Sequence, residues 1–133
     1  MKKIVSSVLF ALVISIASST VFADSVVNAY TCKLKEGKTK DDVQAANSTW
    51  LKWVRANVND QIQSAYGRAI VGDQDMFLFA DTYPDLNTWA ATQTALESDA
   101  ANDIDGLFKD LVDCSQNRLC HLPGADRGSS GAS

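Results

Sequence analysis

Residues 76–98 read MFLFADTYPDLNTWAATQTALES, and partway along the apolar pattern changes from that of a strand to that of a helix. Met76 to Thr82 is almost continuously apolar, the pattern of a central strand whose two faces both want covering. Tyr83-Pro84-Asp85 ends it. Proline costs little near a helix start, where its missing N–H had no partner, so a helix is predicted from Asp85 to about Glu97. Leu86, Trp89, Ala90 and Leu96 are expected to face inward.

Upstream of this stretch, Gly72-Asp73-Gln74-Asp75 has the length and chemistry of a hairpin loop. The strand it joins is predicted over Gln61 to Val71, where Ile62, Tyr66 and Ile70 share parity. Val26 to Lys35 also alternates, with Tyr30, Cys32 and Leu34 on one face and Thr31, Lys33 and Lys35 on the other. Glu36-Gly37-Lys38 stops that strand, and Thr39 with Asp42 approximates a capping box for the next helix. Val43, Ala46, Trp50, Trp53 and Val54 then recur at spacings of three and four, predicting a helix to about Val58.

Downstream, Ile104, Leu107, Phe108, Leu111 and Val112 follow helical spacing and predict a further helix over Ala101 to Asp113, despite Gly106. Arg118 to Leu122 is expected to be a short last strand. The order strand, helix, strand, strand, helix, strand is the α+β ferredoxin-like split βαβ arrangement (βαββαβ), a four-stranded antiparallel sheet with helices on one face.

Both ends of the 133-residue chain read differently from this unit. Met1-Lys2-Lys3, the apolar run Ile4 to Val21 and Val21-Phe22-Ala23 have the flanks of a secretory signal peptide over residues 1–23. The apolar run is short for a membrane span and lacks a basic stop-transfer cluster, so no membrane association is expected once it is removed. Residues 24–122 are expected to form one domain, and 123–133 a flexible glycine- and serine-rich tail. Loss of Lys2 and Lys3 takes the net charge from -4 to -6 over the remaining 110 residues, leaving no basic footprint for nucleic acid. The mature protein is expected to be exported, periplasmic or secreted.

No motif announces a reaction. The neighbouring carboxylates Asp41 and Asp42, Asp73 and Asp75, and Asp103 and Asp105 fall at a helix start, in a turn and on a polar helix face, where solvation keeps their acidity ordinary. There is no phosphate-cradling glycine loop and no serine elbow. In "DCSQNRLCHLP", residues 113–123, the Cys-x5-Cys-His spacing is wrong for c-type haem attachment, and Cys114, Cys120 and His121 supply only three zinc ligands. No catalytic residue, metal site or cofactor is expected. Tyr30, Trp50, Tyr66, Phe79 and His121 are the candidates for lining a pocket between sheet and helices.

"YTCKLKEGKTKDDV", residues 30–43, resembles the first strand and glycine turn of the ferredoxin-like dimeric α/β-barrel superfamily, in particular its antibiotic-biosynthesis monooxygenase-like branch. Residues 76–98 resemble that family's third strand, its aromatic and acidic turn, and its second helix. The resemblance covers most of Val26 to Leu122 and implies a homodimer packed through the second face of the sheet. That face carries Thr31 and Lys33, which is polar for an interface. The branch includes oxygenases that use a histidine in the second helix; here Thr92 or a neighbour stands in its place. Its haem-degrading members pair an asparagine with a tryptophan, whereas Asn28 lies at a different distance from Gly37 and Tyr83 replaces the tryptophan. The family's catalytic residues therefore do not carry over. A non-enzymatic binding or assembly module is favoured, with a small apolar ligand or a homodimer interface; a cofactor-independent monooxygenase-like enzyme is the alternative.

Three cysteines in an oxidising compartment allow three pairings. The ferredoxin-like order sets the first strand beside the last, which brings Cys32 near the Cys114 to Cys120 region. A Cys32–Cys114 bridge is favoured, with Cys114 at the end of the amphipathic helix. Cys32–Cys120 comes second, and Cys114–Cys120 would tie only a local loop.

Overall fold

The computed structural model describes residues 24–123; the expected signal peptide, and the tail after Pro123, lie outside the described residues. Four strands form one sheet: β1 (Asp24–Leu34), β2 (Gln63–Arg68), β3 (Met76–Tyr83) and β4 (Val112–Pro123). Their order is β2-β3-β1-β4 and every neighbouring pair is antiparallel. Helices α1 (Lys40–Asn57), α2 (Leu86–Leu96) and the short α3 (Asn102–Asp105) complete the α+β ferredoxin-like arrangement.

Local chemistry explains the boundaries. Gly37, at φ 75°, takes the left-handed turn that a side chain would strain, and carries β1 toward α1. Thr39 then caps α1: its hydroxyl accepts from the Asp42 amide at 3.2 Å, while the Asp42 carboxylate accepts from the Thr39 amide at 2.8 Å. Asp85 caps α2 in the same manner, accepting from the Thr88 amide at 2.6 Å.

The pleat sends alternate residues to opposite faces, and the register shows which face the helices cover. Val26, Cys32, Phe77, Phe79, Tyr83 and Val112 belong to the buried clusters that α1 joins through Val43, Trp50 and Val54. The opposite face carries Val27, Ala29, Ala65, Leu78 and Ala80, with Leu78 43% exposed. No helix of the described residues is long and apolar enough to cross a membrane.

Several expectations differ from the structure. The helix over Ala101 to Asp113 is broken into a 3-10 turn at Asp99–Ala101, the four-residue α3 and a second 3-10 turn at Gly106–Phe108. Asn102, Asp103, Asp105 and Gly106 are weak helix formers, so packing of Ile104, Leu107 and Phe108 is achieved by a chain of turns. The last strand starts at Val112, six residues before Arg118, because pairing with Leu34 extends β4 back along the whole of β1. Strand β2 stops at Arg68: its ladder with β3 ends at Phe77, and Ile70 and Val71 project from the connecting loop at 90% and 89% exposure. Leu86 is 55% exposed and Ala90 is also exposed, and α2 buries Thr88 and Thr92 instead.

Cys32 and Cys114 are bonded to each other, and they sit directly opposite on β1 and β4. Cys114 therefore belongs to a strand rather than to a helix end. The two strands slip by one residue between Thr31 and Cys32, so Ser115 has no partner in the register. Cys120 is free and exposed.

Candidate functional site

The buried face of the sheet is not uniformly apolar. On β3 the inward positions run Phe77, Phe79, Asp81, Tyr83, and on β1 they run Val26, Asn28, Tyr30, Cys32. Register pairs Asn28 with Asp81 on one side and Ser64 of β2 with Asp81 on the other. A polar row thus crosses three strands between the two hydrophobic clusters. Asp81 is 7% exposed and Asn28 3%.

Short hydrogen bonds tie Ser64 to Asp81 and Asn28 to Tyr30. Ser64 Oγ lies 2.5 Å from Asp81 Oδ1 and 3.0 Å from Asn47 Oδ1 of α1, and its single proton can go to only one of them. The carboxylate is the stronger acceptor. Asn28 Nδ2 donates to the Tyr30 hydroxyl at 2.6 Å. Asp81 makes no ion pair among the described residues. Burial pushes its carboxyl up to about 6, opposed by the Ser64 hydrogen bond. Burial, and then the charge of Asp81, hold the phenols of Tyr83 and Tyr30 above their ordinary range, so both keep their protons.

A partly enclosed cavity of about 230 Å³ lies over this row. Aromatic rings reach it from four elements: Tyr30 from β1, Trp50 from α1, Phe79 and Tyr83 from β3, and Phe108 from the turn after α3. Asp81, Asn47 and Gln93 supply polar lining, and Leu96 and Ile104 further apolar surface. Phe79 and Phe108 meet edge to face with centroids 5.4 Å apart, which fixes one wall.

Of the five residues singled out in the sequence, Tyr30, Trp50 and Phe79 line this cavity, whereas Tyr66 and His121 do not. Tyr66 of β2, opposite Phe79, packs against Phe77 and Phe79, at 5.3 and 5.8 Å between centroids. His121 sits on the edge strand with its side chain 57% exposed, 3.7 Å from Asp24. Pairing with Val26 places it beside the start of α2, in a shallow groove with Asp85 and Leu119. Asp81 has no carboxylate neighbour in sequence to mark it; its signal there is a charged residue on the inward parity of an otherwise aromatic strand.

No group of three or more histidine, cysteine, aspartate or glutamate side chains able to hold a metal is present among the described residues. What the arrangement can do chemically is hold a small molecule against aromatic walls and offer it one buried carboxylate.

No known family's sequence profile matches the chain, and no curated protein matches it in sequence. Solved structures do match in fold. A conserved protein of unknown function from Bacteroides thetaiotaomicron, described as a possible oxidoreductase, is similar with TM-score 0.53 and 12% identity, over 75% of this chain and 99% of that one. A Caulobacter crescentus protein provisionally assigned as an antibiotic biosynthesis monooxygenase gives 0.53 and 10%, over 77% and 92%. SnoaB, a cofactor-independent oxygenase from Streptomyces nogalater, gives 0.50 and 9%, over 74% and 92%. The chain therefore shares the ferredoxin-like fold of these proteins, which hosts more than one function.

Proposed function

We propose that the protein is an exported binding module that holds one small molecule in the cavity between sheet and helices. The observation that carries this reading is the placement of the Asp81 carboxylate, without a charged partner, at an aromatic-lined cavity. Burying an unpaired carboxylate is costly, and a fold has no structural need of one there. Size limits the ligand: an apolar cavity of about 150 Å³ holds benzene, so about 230 Å³ suits a one-ring molecule or its equivalent.

Benzyl alcohol is a suitable probe, followed through tryptophan fluorescence because Trp50 lines the cavity. A saturable change is expected, removed by Leu96→Trp, which fills the space. A response that Leu96→Trp leaves intact, or no response, would overturn the proposal.

The proposal includes removal of residues 1–23 and a mature chain starting at Asp24, which amino-terminal sequencing of the exported protein would read directly. The disulfide supports an oxidising compartment. It also includes a homodimer through the uncovered sheet face, where Val27, Ala29, Ala65, Leu78 and Ala80 offer small apolar surface with Lys33 at the margin.

A second reading is supported by the same carboxylate. A buried acid ionising near pH 6 is suited to take a proton from a bound substrate. An enzyme acting in this way would convert its ligand, and a binding module would return it unchanged, so mass analysis of the recovered ligand separates the two.

A further inference from the structure

We propose that the occupant of the cavity is a small organic ammonium ion, with its charge beside the Asp81 carboxylate and its alkyl groups against the aromatic walls; this rests on the binding reading above. Five rings, those of Tyr30, Trp50, Phe79, Tyr83 and Phe108, and one acid line the space, and no lysine, arginine or histidine does. Aromatic faces carry partial negative charge and attract cations, most strongly when water is excluded. An anionic ligand would face that field and the carboxylate together. A neutral ligand such as benzyl alcohol can fill the space, but it leaves the carboxylate without a countercharge and so binds more weakly than a cation of the same shape.

The hydrogen bonding of Asp81 points the same way. Ser64 is its one side-chain donor among the described residues, and it reaches Oδ1. Asn28, directly across on β1, has its amide turned to the Tyr30 hydroxyl instead. The carboxylate is thus positioned on one side by the protein and left without a countercharge on the other. Asn47 on α1, Gln93 on α2 and the neutral phenols of Tyr30 and Tyr83 are the other polar groups lining the cavity, and none carries a positive charge. A bound cation would complete the set and hold Asp81 ionised, displacing its proton at acid pH.

Choline and its uncharged carbon isostere 3,3-dimethylbutan-1-ol match in shape and differ in charge. Calorimetric titration of the wild-type protein at pH 7.5 is expected to show choline binding at least tenfold tighter than the isostere. Asp81→Asn should bring the two within about twofold. In the wild type, choline affinity should fall by up to about tenfold per pH unit below pH 6 while the isostere's stays level. The pH series keeps the test decisive if Asp81→Asn does not fold. Equal affinities, or no choline binding, would overturn the ammonium assignment, while the binding reading stands or falls separately on benzyl alcohol and Leu96→Trp.

Discussion

Ser64 and Asp81 stand directly opposite one another on β2 and β3, and the serine hydroxyl reaches the buried carboxylate at 2.5 Å. This bond is the means by which the protein keeps an acid inside an aromatic core. Ser64→Ala should push the Asp81 carboxyl above its value of about 6. It should also cost about 1.5–3 kcal/mol at pH 7.5, the usual worth of a hydrogen bond to a charged group. Carbon-detected NMR titration of the Asp81 carboxyl and urea unfolding would measure both. An unmoved titration would show that the serine bonds Asn47 instead.

The carboxylate leaves a signature in stability against pH. Its folded value, near 6, lies above its unfolded value of 3.8, so the folded state holds the proton more tightly. Stability is therefore undiminished below about pH 4 and falls as pH rises through 6, by about 3 kcal/mol in all. The capping residues Asp42 and Asp85 have lowered values and act in the opposite sense. The difference between wild type and Asp81→Asn removes their contribution. That difference should grow in favour of the variant from pH 4 to pH 7, and a flat difference would refute the assignment.

Cys32 and Cys114 close a loop spanning 82 positions. By chain-entropy reasoning this stabilises the fold by about 4 kcal/mol. The double variant Cys32→Ala, Cys114→Ala should melt about 15–30 °C lower than the wild type. Non-reducing peptide mapping should recover the Cys32–Cys114 pair with Cys120 unpaired. A wild type whose melting is insensitive to loss of both cysteines would contradict the account.

Thr39 caps α1 through its hydroxyl. Thr39→Ala should cost about 1 kcal/mol, seen as a lower urea midpoint with an unchanged slope. Thr39→Ser should recover most of that loss.

The uncovered sheet face predicts a change of mass in solution. Light scattering should give a dimer for the wild type and a monomer for Ala80→Glu, which puts a charge at the centre of that face. A monomeric wild type would end the homodimer proposal.

Much of this architecture is legible in local sequence. The capping box at Thr39 and Asp42, the alternation of β1 and the switch at Tyr83-Pro84-Asp85 are decided by neighbours a few residues apart, so periodicity and capping chemistry suffice. Val112 and Asp113 are different. Val112 completes the helical spacing that begins at Ile104, but the long ladder with β1 and the adjoining Cys32–Cys114 bridge hold both residues in a strand. That is a tertiary preference overriding a local one. The site divides in the same way: Trp50 and Phe79 carry strong local patterns, whereas Asp81 acquires its meaning from Ser64 and Asn28, which lie far from it in sequence and opposite it in the sheet.

Whether the cavity holds a ligand is read by an NMR measurement of contacts between benzyl alcohol and the isotope-labelled mature protein. Intermolecular contacts are expected from the ring protons of the probe to the Trp50 indole and to the methyls of Leu96 and Ile104, all of which line the cavity. Contacts confined to Leu78 and Ala80 on the opposite face of the sheet, or none that saturate, would contradict the binding reading.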